Sequence, residues 1–360
     1  MRHSLKCCLL KVSPSLRRLI DQRDDLQNRL NEHSSLLEMY SYYVNTTGVV
    51  LQYREAHYQI HGAIAPAPAL PTSRAWPRED TGLSYREKLI GLLPLSTGVG
   101  AEIGPLDIPI ISKDESQVLY VDHLTTEGLQ KKYTHLTDIV SVDRPMVNDS
   151  LAETLCSDAP LDFLLGSQVF EHVPNPIRWL QEAATVLRSG GLLALSLPDR
   201  RMTFDFLREE TQPADIVAAY LNDATIPDIQ RVYDHHSLAS FVNMEWATPV
   251  SVYPEKVVAG QGSVSPIRAT KNHLSFVQRV KDEGEYLDVH CWVFTPPSFL
   301  LTMAQLAADG FLQFRCYQFY PTTPSFPDRG NSSFTIILEK VEKDVTPEEM
   351  RRSFLSPLGQ

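Results

Sequence analysis

The sequence predicts an α/β protein with a mostly parallel sheet, helices on both faces, and an antiparallel hairpin at its carboxyl end. Three observations predict it. Between residues 85 and 199 short apolar runs alternate with amphipathic helical stretches. Those runs are unbroken rather than period-two, the pattern of strands buried on both faces. The last two runs, Phe311–Tyr320 and Ser333–Val341, are joined by a Pro-rich loop with no helix between them, so they must pair antiparallel.

The elements follow in order. Residues 1–45 hold a helix over 15–43, with Leu19, Leu26, Leu30, Leu37 and Tyr40 on a 3-and-4 spacing whose two gaps are filled by the polar Arg23 and His33. It is either a coiled coil that joins two copies or a helix packed on its own domain. Residues 46–84 are a linker whose Ala/Pro run, AIAPAPALPTSRAWP, favours stiff, extended chain. The first half of the core, 85–199, opens with a helix at Tyr85–Leu93. Strands are expected at Val99–Ile103, Val118–Val121, Ile139–Val142, Leu161–Gly166 and Leu192–Leu197, with a helix at Thr126–Tyr133. Asn175 caps a helix with Pro176 at its first position, and Gly190–Gly191 is expected to stop it. Residues 200–289 interrupt this order as an insertion. The second half of the core, 290–342, supplies a helix at Pro296–Ala308 and the closing hairpin. In the tail, 343–360, Thr346-Pro347-Glu348-Glu349 is a capping box.

Composition excludes several classes of function. The 360 residues are enough for about two domains. A net charge of −11 argues against a general nucleic-acid binder. No apolar run approaches the ~20 residues of a spanning helix, so stable membrane insertion is not expected. The five cysteines have no paired spacing and give neither a disulfide scaffold nor a zinc signature, which points to the cytoplasm. Residues 1–18 carry five basic side chains and no acid, a docking tail or a soluble terminus.

Ligands of open parallel sheets sit outside the carboxyl ends of the strands, so the residues just after each strand are the candidates. These are Glu102-Ile103-Gly104, then Asp122-His123, then Asp143, then Ser167-Gln168-Val169-Phe170-Glu171-His172. An acid ending strand two is well placed to accept both hydroxyls of a ribose. A dinucleotide fingerprint fails: Gly98 and Gly100 precede the strand, and Gly104 comes one residue too late.

Glu102-Ile103-Gly104, Asp122, DFLLGSQVFEHVPNP (162–176), VLRSGG (186–191) and LALSLPD (193–199) resemble a class I S-adenosylmethionine-dependent methyltransferase of the small-molecule type. The likeness covers residues 85–200 and 290–341 and implies that family's Rossmann-like, seven-stranded sheet. It implies S-adenosylmethionine as cofactor, with Glu102 and Gly104 near its methionine portion and Asp122, beside His123, on the ribose. It likewise puts Asp143 by the adenine amino group and Ser167, Gln168 and Phe170 alongside the cofactor. Where the family has its second and third loop glycines, this chain has Leu106 and Ile108.

The insertion is expected to cover the ligand cleft, bringing His235, His236 and Asp205, with Asp288 and His290 at its end. His172, His235 and His290 are the candidate general bases, since a hydroxyl acceptor needs its proton removed. Their spacing matches no metal signature, so no metal is expected. Arg200, Arg201 and Arg208 either clamp an anionic substrate or lie on the surface. The expected reaction is O-methylation of a small molecule. The phrase PDRRMTFD and the amino-terminal helix resemble methyltransferases of glycan and natural-product pathways, a lead toward a sugar. A non-catalytic interaction protein and another nucleotide-binding enzyme are the alternatives.

Overall fold

The computed structural model describes residues 82–242, 264–266, 273–322, 332–342 and 344–359. The expected helix at 15–43 and nearly all of the 46–84 linker lie outside the described residues.

Ser84 opens the first element. Its hydroxyl accepts the Glu87 amide while the Glu87 carboxylate accepts the Ser84 amide, a capping box that starts α1 (Tyr85–Ile90). The sheet strands follow as β1 (Val99–Ile103), β2 (Gln117–Asp122), β3 (Arg144–Pro145), β4 (Leu161–Ser167) and β5 (Leu187–Pro198). Helices α2 (Thr126–Lys132), α3 (Leu151–Leu155) and α4 (Pro176–Val186) connect them. The insertion contributes α5 (Pro213–Leu221), α6 (Ile229–Leu238), α7 (His273–Glu283) and a short antiparallel ribbon of 240–242 with 264–266. Then come α8 (Pro296–Ala308), β6 (Phe314–Tyr320), β7 (Ser333–Lys340) and α9 (Pro347–Leu355).

Among the described residues the main sheet has seven strands in the order β3-β2-β1-β4-β5-β7-β6. The first five are parallel; β7 pairs antiparallel with both β5 and β6. This is the predicted α/β, Rossmann-like sheet with its terminal hairpin. Neighbouring side chains feed opposite layers. Phe163 and Leu165 of β4, Ala194 of β5 and Ile337 of β7 pack with Leu89 and Ile90 of α1. Leu164, Leu193, Leu195, Ile336 and Leu338 pack on the other face with α4 and α8. Strands buried on both faces explain the unbroken apolar runs.

Three expectations are corrected. The third strand is not Ile139–Val142 but the two residues Arg144–Pro145. The Val140 amide goes to the Leu106 carbonyl and the Val142 amide to the Thr126 hydroxyl. The Asp143 carboxylate takes the Tyr120 amide, so the ladder with β2 begins one residue later. Gly190–Gly191 does not stop α4. The helix passes straight into β5 at Leu187, and the glycines sit in an irregularity opposite Leu161–Phe163, with Gly190 at φ 70°. Helix α3 was not expected; at five residues it is too short for a periodic signal.

The insertion leaves from the carboxyl end of β5 and returns beside it. Asp199 bridges to Phe294, and the Arg200 amide donates to the Phe294 carbonyl. No helix among the described residues is long and apolar enough to cross a membrane.

Candidate active site

At the carboxyl edge of β1, Glu102 is buried and both its oxygens accept backbone amides, Ile110 at 2.7 Å and Ile111 at 2.9 Å. Burial raises its pKa, against the lowering by those amides. The carboxylate therefore holds the loop after β1 closed on the strand. Gly104 turns that loop with φ 69°, and an added Cβ would stand 3.0 Å from Val169 Cγ2. The positive φ and the close methyl both favour glycine there. Leu106, where the family has a glycine, also keeps positive φ, at 50°.

Asp122 ends β2 and is buried; its Oδ1 accepts the His123 amide at 2.7 Å and faces His123 Nδ1 at 2.6 Å. That leaves Oδ2 for a ligand. His123 is largely exposed, with Nε2 3.0 Å from Lys132 Nζ. Ser167 ends β4, its hydroxyl 2.5 Å from the Tyr85 hydroxyl. Gln168 follows in a left-handed conformation, φ 57°, and donates its amide to Ser196 and its side chain to the Ser196 and Ser333 hydroxyls.

Beyond β4 and β5 lies a polar cluster, buried at Glu171, Asp205, Arg208 and His290 and open to solvent at Asp288. His172 Nδ1 pairs with Asp288 Oδ1 at 2.8 Å, and His290 Nδ1 lies 2.5 Å from Asp205 Oδ2. The two imidazoles meet edge to face with centroids 4.7 Å apart. Arg208 Nη1 donates to Asp205 Oδ1 at 2.7 Å. Glu171 is fully buried between the imidazoles, with neither carboxylate oxygen hydrogen-bonded among the described residues. Its burial raises its pKa despite the neighbouring histidines. For His172, burial opposes the charge, but the Asp288 and Glu171 carboxylates outweigh it and raise the pKa. Asp205 would be raised by burial, yet His290 and Arg208 hold it well below the usual range. Asp288 is lowered to about 2, chiefly by His172. His235 is lowered to about 3 by burial and by Arg208.

A family model described as a methyltransferase domain matches residues 95–246. This stretch is thus similar to a methyltransferase domain. No curated protein matches the chain. Among solved structures, the CurJ carbon methyltransferase is 11% identical with a TM-score of 0.32, covering 70% of this chain; the chain spans only 51% of its length. A protein of Rhodobacter sphaeroides described as a Zn-dependent alcohol dehydrogenase is 14% identical, covering 72% of this chain and 91% of its own, TM-score 0.38. An S-adenosylmethionine-dependent methyltransferase of Mesorhizobium loti is 11% identical, covering 71% and 97%, TM-score 0.37. Likenesses this weak add nothing to the family model's match over residues 95–246.

Among the expected cofactor residues, Glu102, Gly104, Asp122, His123, Ser167 and Gln168 all stand along the carboxyl edge of β1, β2 and β4. Two expected cofactor residues do not. Asp143 lies ahead of β3 rather than after it, and its carboxylate is tied to Lys113 Nζ at 2.6 Å and 2.7 Å. The residues that follow β3 include Asn148 and Asp149, both with positive φ. Phe170 is core: its buried ring packs edge-on against Trp179 at 5.7 Å and Phe299 at 6.3 Å.

His172, His290 and His235 converge. His235 accepts the His290 amide through Nδ1 at 3.4 Å, whereas His236 stacks on Phe276 at 4.0 Å. The arginines are neither surface groups nor free clamps. Arg201 holds the Asp199 carboxylate, Arg208 holds Asp205, and Arg200 is buried, donating to the Phe206 carbonyl. Glu171 was missed. Its place between Phe170 and His172 in SQVFEH was the available signal, but nothing in the sequence showed that it would be buried without a partner.

Proposed function

We propose that the protein transfers the methyl group of S-adenosylmethionine to a hydroxyl of a small-molecule acceptor, with a sugar as the leading class. The observation that supports this best is the pairing of two imidazoles with carboxylates, His172 with Asp288 and His290 with Asp205, beyond the ends of β4 and β5. A sulfonium methyl is already activated, so the protein must align the acceptor, exclude water and handle the hydroxyl proton. The Asp205 carboxylate on Nδ1 orients the His290 ring for that work, and Asp288 supplies the counter-charge beside His172. The residues at the sheet's edge suit the cofactor: Gly104 leaves room where a Cβ would intrude, and Asp122 offers Oδ2 to a ribose. The insertion, anchored beside β5 at Asp199–Phe294, supplies Asp205 and His235 to the acceptor side.

Calorimetry with S-adenosylmethionine, S-adenosylhomocysteine and NAD tests the cofactor; the first two are expected to bind and NAD not. With an acceptor found by screening sugars and other hydroxyl compounds, His172→Ala, His235→Ala, His236→Ala and His290→Ala are compared. His172→Ala or His290→Ala is expected to lose at least ~100-fold in kcat with cofactor affinity intact. Activity within a few-fold in all four would overturn the histidine assignment and favour an amine or carbon acceptor.

The expected helix at 15–43 lies outside the described residues. We propose it as a self-association element, in a cytoplasmic protein. Deleting residues 1–45 is expected to lower the mass measured by light scattering while cofactor binding persists, and an unchanged mass would return the helix to its own domain.

A further inference from the structure

We propose that Glu171, His172 and His290 form a binding site for a zinc-like divalent cation. One ligand atom from each of the three lies within 4.8 Å of the other two. Ligands at about 2.0–2.1 Å around a four-coordinate ion sit about 3.3 Å apart, so small side-chain rotations close the set. Two imidazoles and one carboxylate suit zinc and its first-row neighbours better than magnesium or calcium, which prefer all-oxygen sets.

Three further features point to an ion. Glu171 is fully buried, and its two oxygens find no hydrogen-bond donor among the described residues. A buried carboxylate without a donor is a costly arrangement that a cation relieves. His290 has Nδ1 on the Asp205 carboxylate, and His172 Nδ1 lies 2.8 Å from Asp288 Oδ1 without hydrogen-bond geometry. For His290, Nε2 is then the nitrogen left to coordinate, and the carboxylate behind it is the usual outer partner of a metal-bound histidine. Finally, the ligand backbones are tied together. The Cys291 and Trp292 amides both donate to the Glu171 carbonyl, at 2.7 Å and 3.2 Å, and Trp292 Nε1 donates to the Val173 carbonyl at 2.6 Å. The chain after β4 and the chain before α8 therefore arrive in register. The proposal concerns ion binding alone: with an ion on Nε2 of His172 and His290 neither ring is free to act as the base proposed above, so the titration also decides between the two readings.

The test uses the full-length protein, stripped with EDTA and titrated with ZnCl2 or MgCl2 by calorimetry. His3, Cys7 and Cys8 are soft ligands near the amino terminus, so the background carries Cys7→Ser and Cys8→Ser. One equivalent of Zn2+ is expected to bind, with Mg2+ at least ~10-fold weaker. Glu171→Gln and His290→Gln should each weaken Zn2+ by at least ~10-fold, and Asp205→Asn by a similar factor through the outer shell. His236→Gln should change nothing. Should Glu171→Gln not fold, Co2+ loading of the Cys7→Ser, Cys8→Ser background reads the ligands directly. A nitrogen and oxygen site gives visible Co2+ bands without thiolate charge transfer. No Zn2+ binding, binding indifferent to Glu171 and His290, or a thiolate spectrum would each overturn the proposal.

Discussion

Asp205 and His290 are 85 residues apart in sequence, yet Oδ2 of the first lies 2.5 Å from Nδ1 of the second. Both are buried, and Arg208 completes the group by donating to the other Asp205 oxygen at 2.7 Å. One contact thus ties the start of the insertion to the chain that resumes the core. Removing its centre leaves Arg208 charged and buried without its counter-ion. Asp205→Ala is expected to destabilise the protein by about 3–5 kcal/mol, lowering Tm by roughly 10 °C. Asp205→Asn, which keeps the hydrogen-bonding shape, should fall between the two. Differential scanning calorimetry decides, and a Tm within one or two degrees of wild type would show that the contact is not needed to hold the fold.

Asp122 offers a sharper test of the cofactor edge. Its Oδ1 is engaged by His123 and its Oδ2 is open. Asp122→Ala is expected to weaken S-adenosylmethionine by about 1–3 kcal/mol, or roughly 5- to 150-fold, with Tm nearly unchanged. Equal affinity in a folded variant would take the ribose away from Asp122.

How far the sequence could be read follows from what each signal measures. Strands β1, β2, β4 and β5 were legible because burial on both faces leaves long apolar runs such as Leu161–Gly166 and Leu192–Leu197. Strand β3 was not. Its two residues, Arg144 and Pro145, carry no apolar pattern, while the nearby Ile139–Val142 run looks like a strand but sends its amides to Leu106 and Thr126. That shift also misplaced Asp143. Phe170 was misread for a different reason: its position after β4 was right for a ligand, but its ring turns into the core against Trp179 and Phe299. The histidine cluster was half legible. His172 and His290 stood out as residues, but their partners Asp288 and Asp205 and the buried Glu171 come together only through the return of the insertion, which no local pattern records.

Gly104 tests the turn after β1. Alanine there must hold φ near 69° and place its Cβ 3.0 Å from Val169 Cγ2. A left-handed residue of this kind costs about 1–2 kcal/mol before any clash. Gly104→Ala should lower Tm by several degrees and weaken cofactor binding. Adding Val169→Ala is expected to recover the steric part but not the backbone part. Complete recovery would mean that the conformation at Gly104 is cheap for alanine.

The cysteines separate by burial. Cys156 is exposed, whereas burial pushes the thiols of Cys291 and Cys316 up to about 12. The thiolate is the reacting form. At pH 8, brief treatment with iodoacetamide followed by peptide mapping should find Cys156 modified at least ~10-fold faster than Cys291 and Cys316, which react on unfolding. Fast labelling of Cys291 in the native protein would show that the chain around His290 opens readily.

The last prediction concerns pH. Asp162 sits at the start of β4, where Oδ1 accepts Arg188 Nε at 2.6 Å from β5 and Oδ2 accepts the Val99 amide at 2.8 Å from β1. One carboxylate thereby pins the first residues of three adjacent strands. The Arg188 hydrogen bond, followed by the Val99 amide, lowers its pKa. A carboxylate lowered in the fold adds stability above its unfolded pKa of about 3.9, and loses it as pH falls through the folded value. Asp162→Asn removes that titration. It should therefore lie below wild type by about 1–3 °C in Tm at pH 7, since a partly exposed ion pair is a small term. The gap should narrow as pH falls below about 4, where the wild-type carboxylate takes up its proton. Thermal melts of both proteins from pH 7 to pH 3 read the difference directly. A gap that stays constant, or widens toward acid, would mean that Asp162 acts through the shape of its hydrogen bonds and not through its charge.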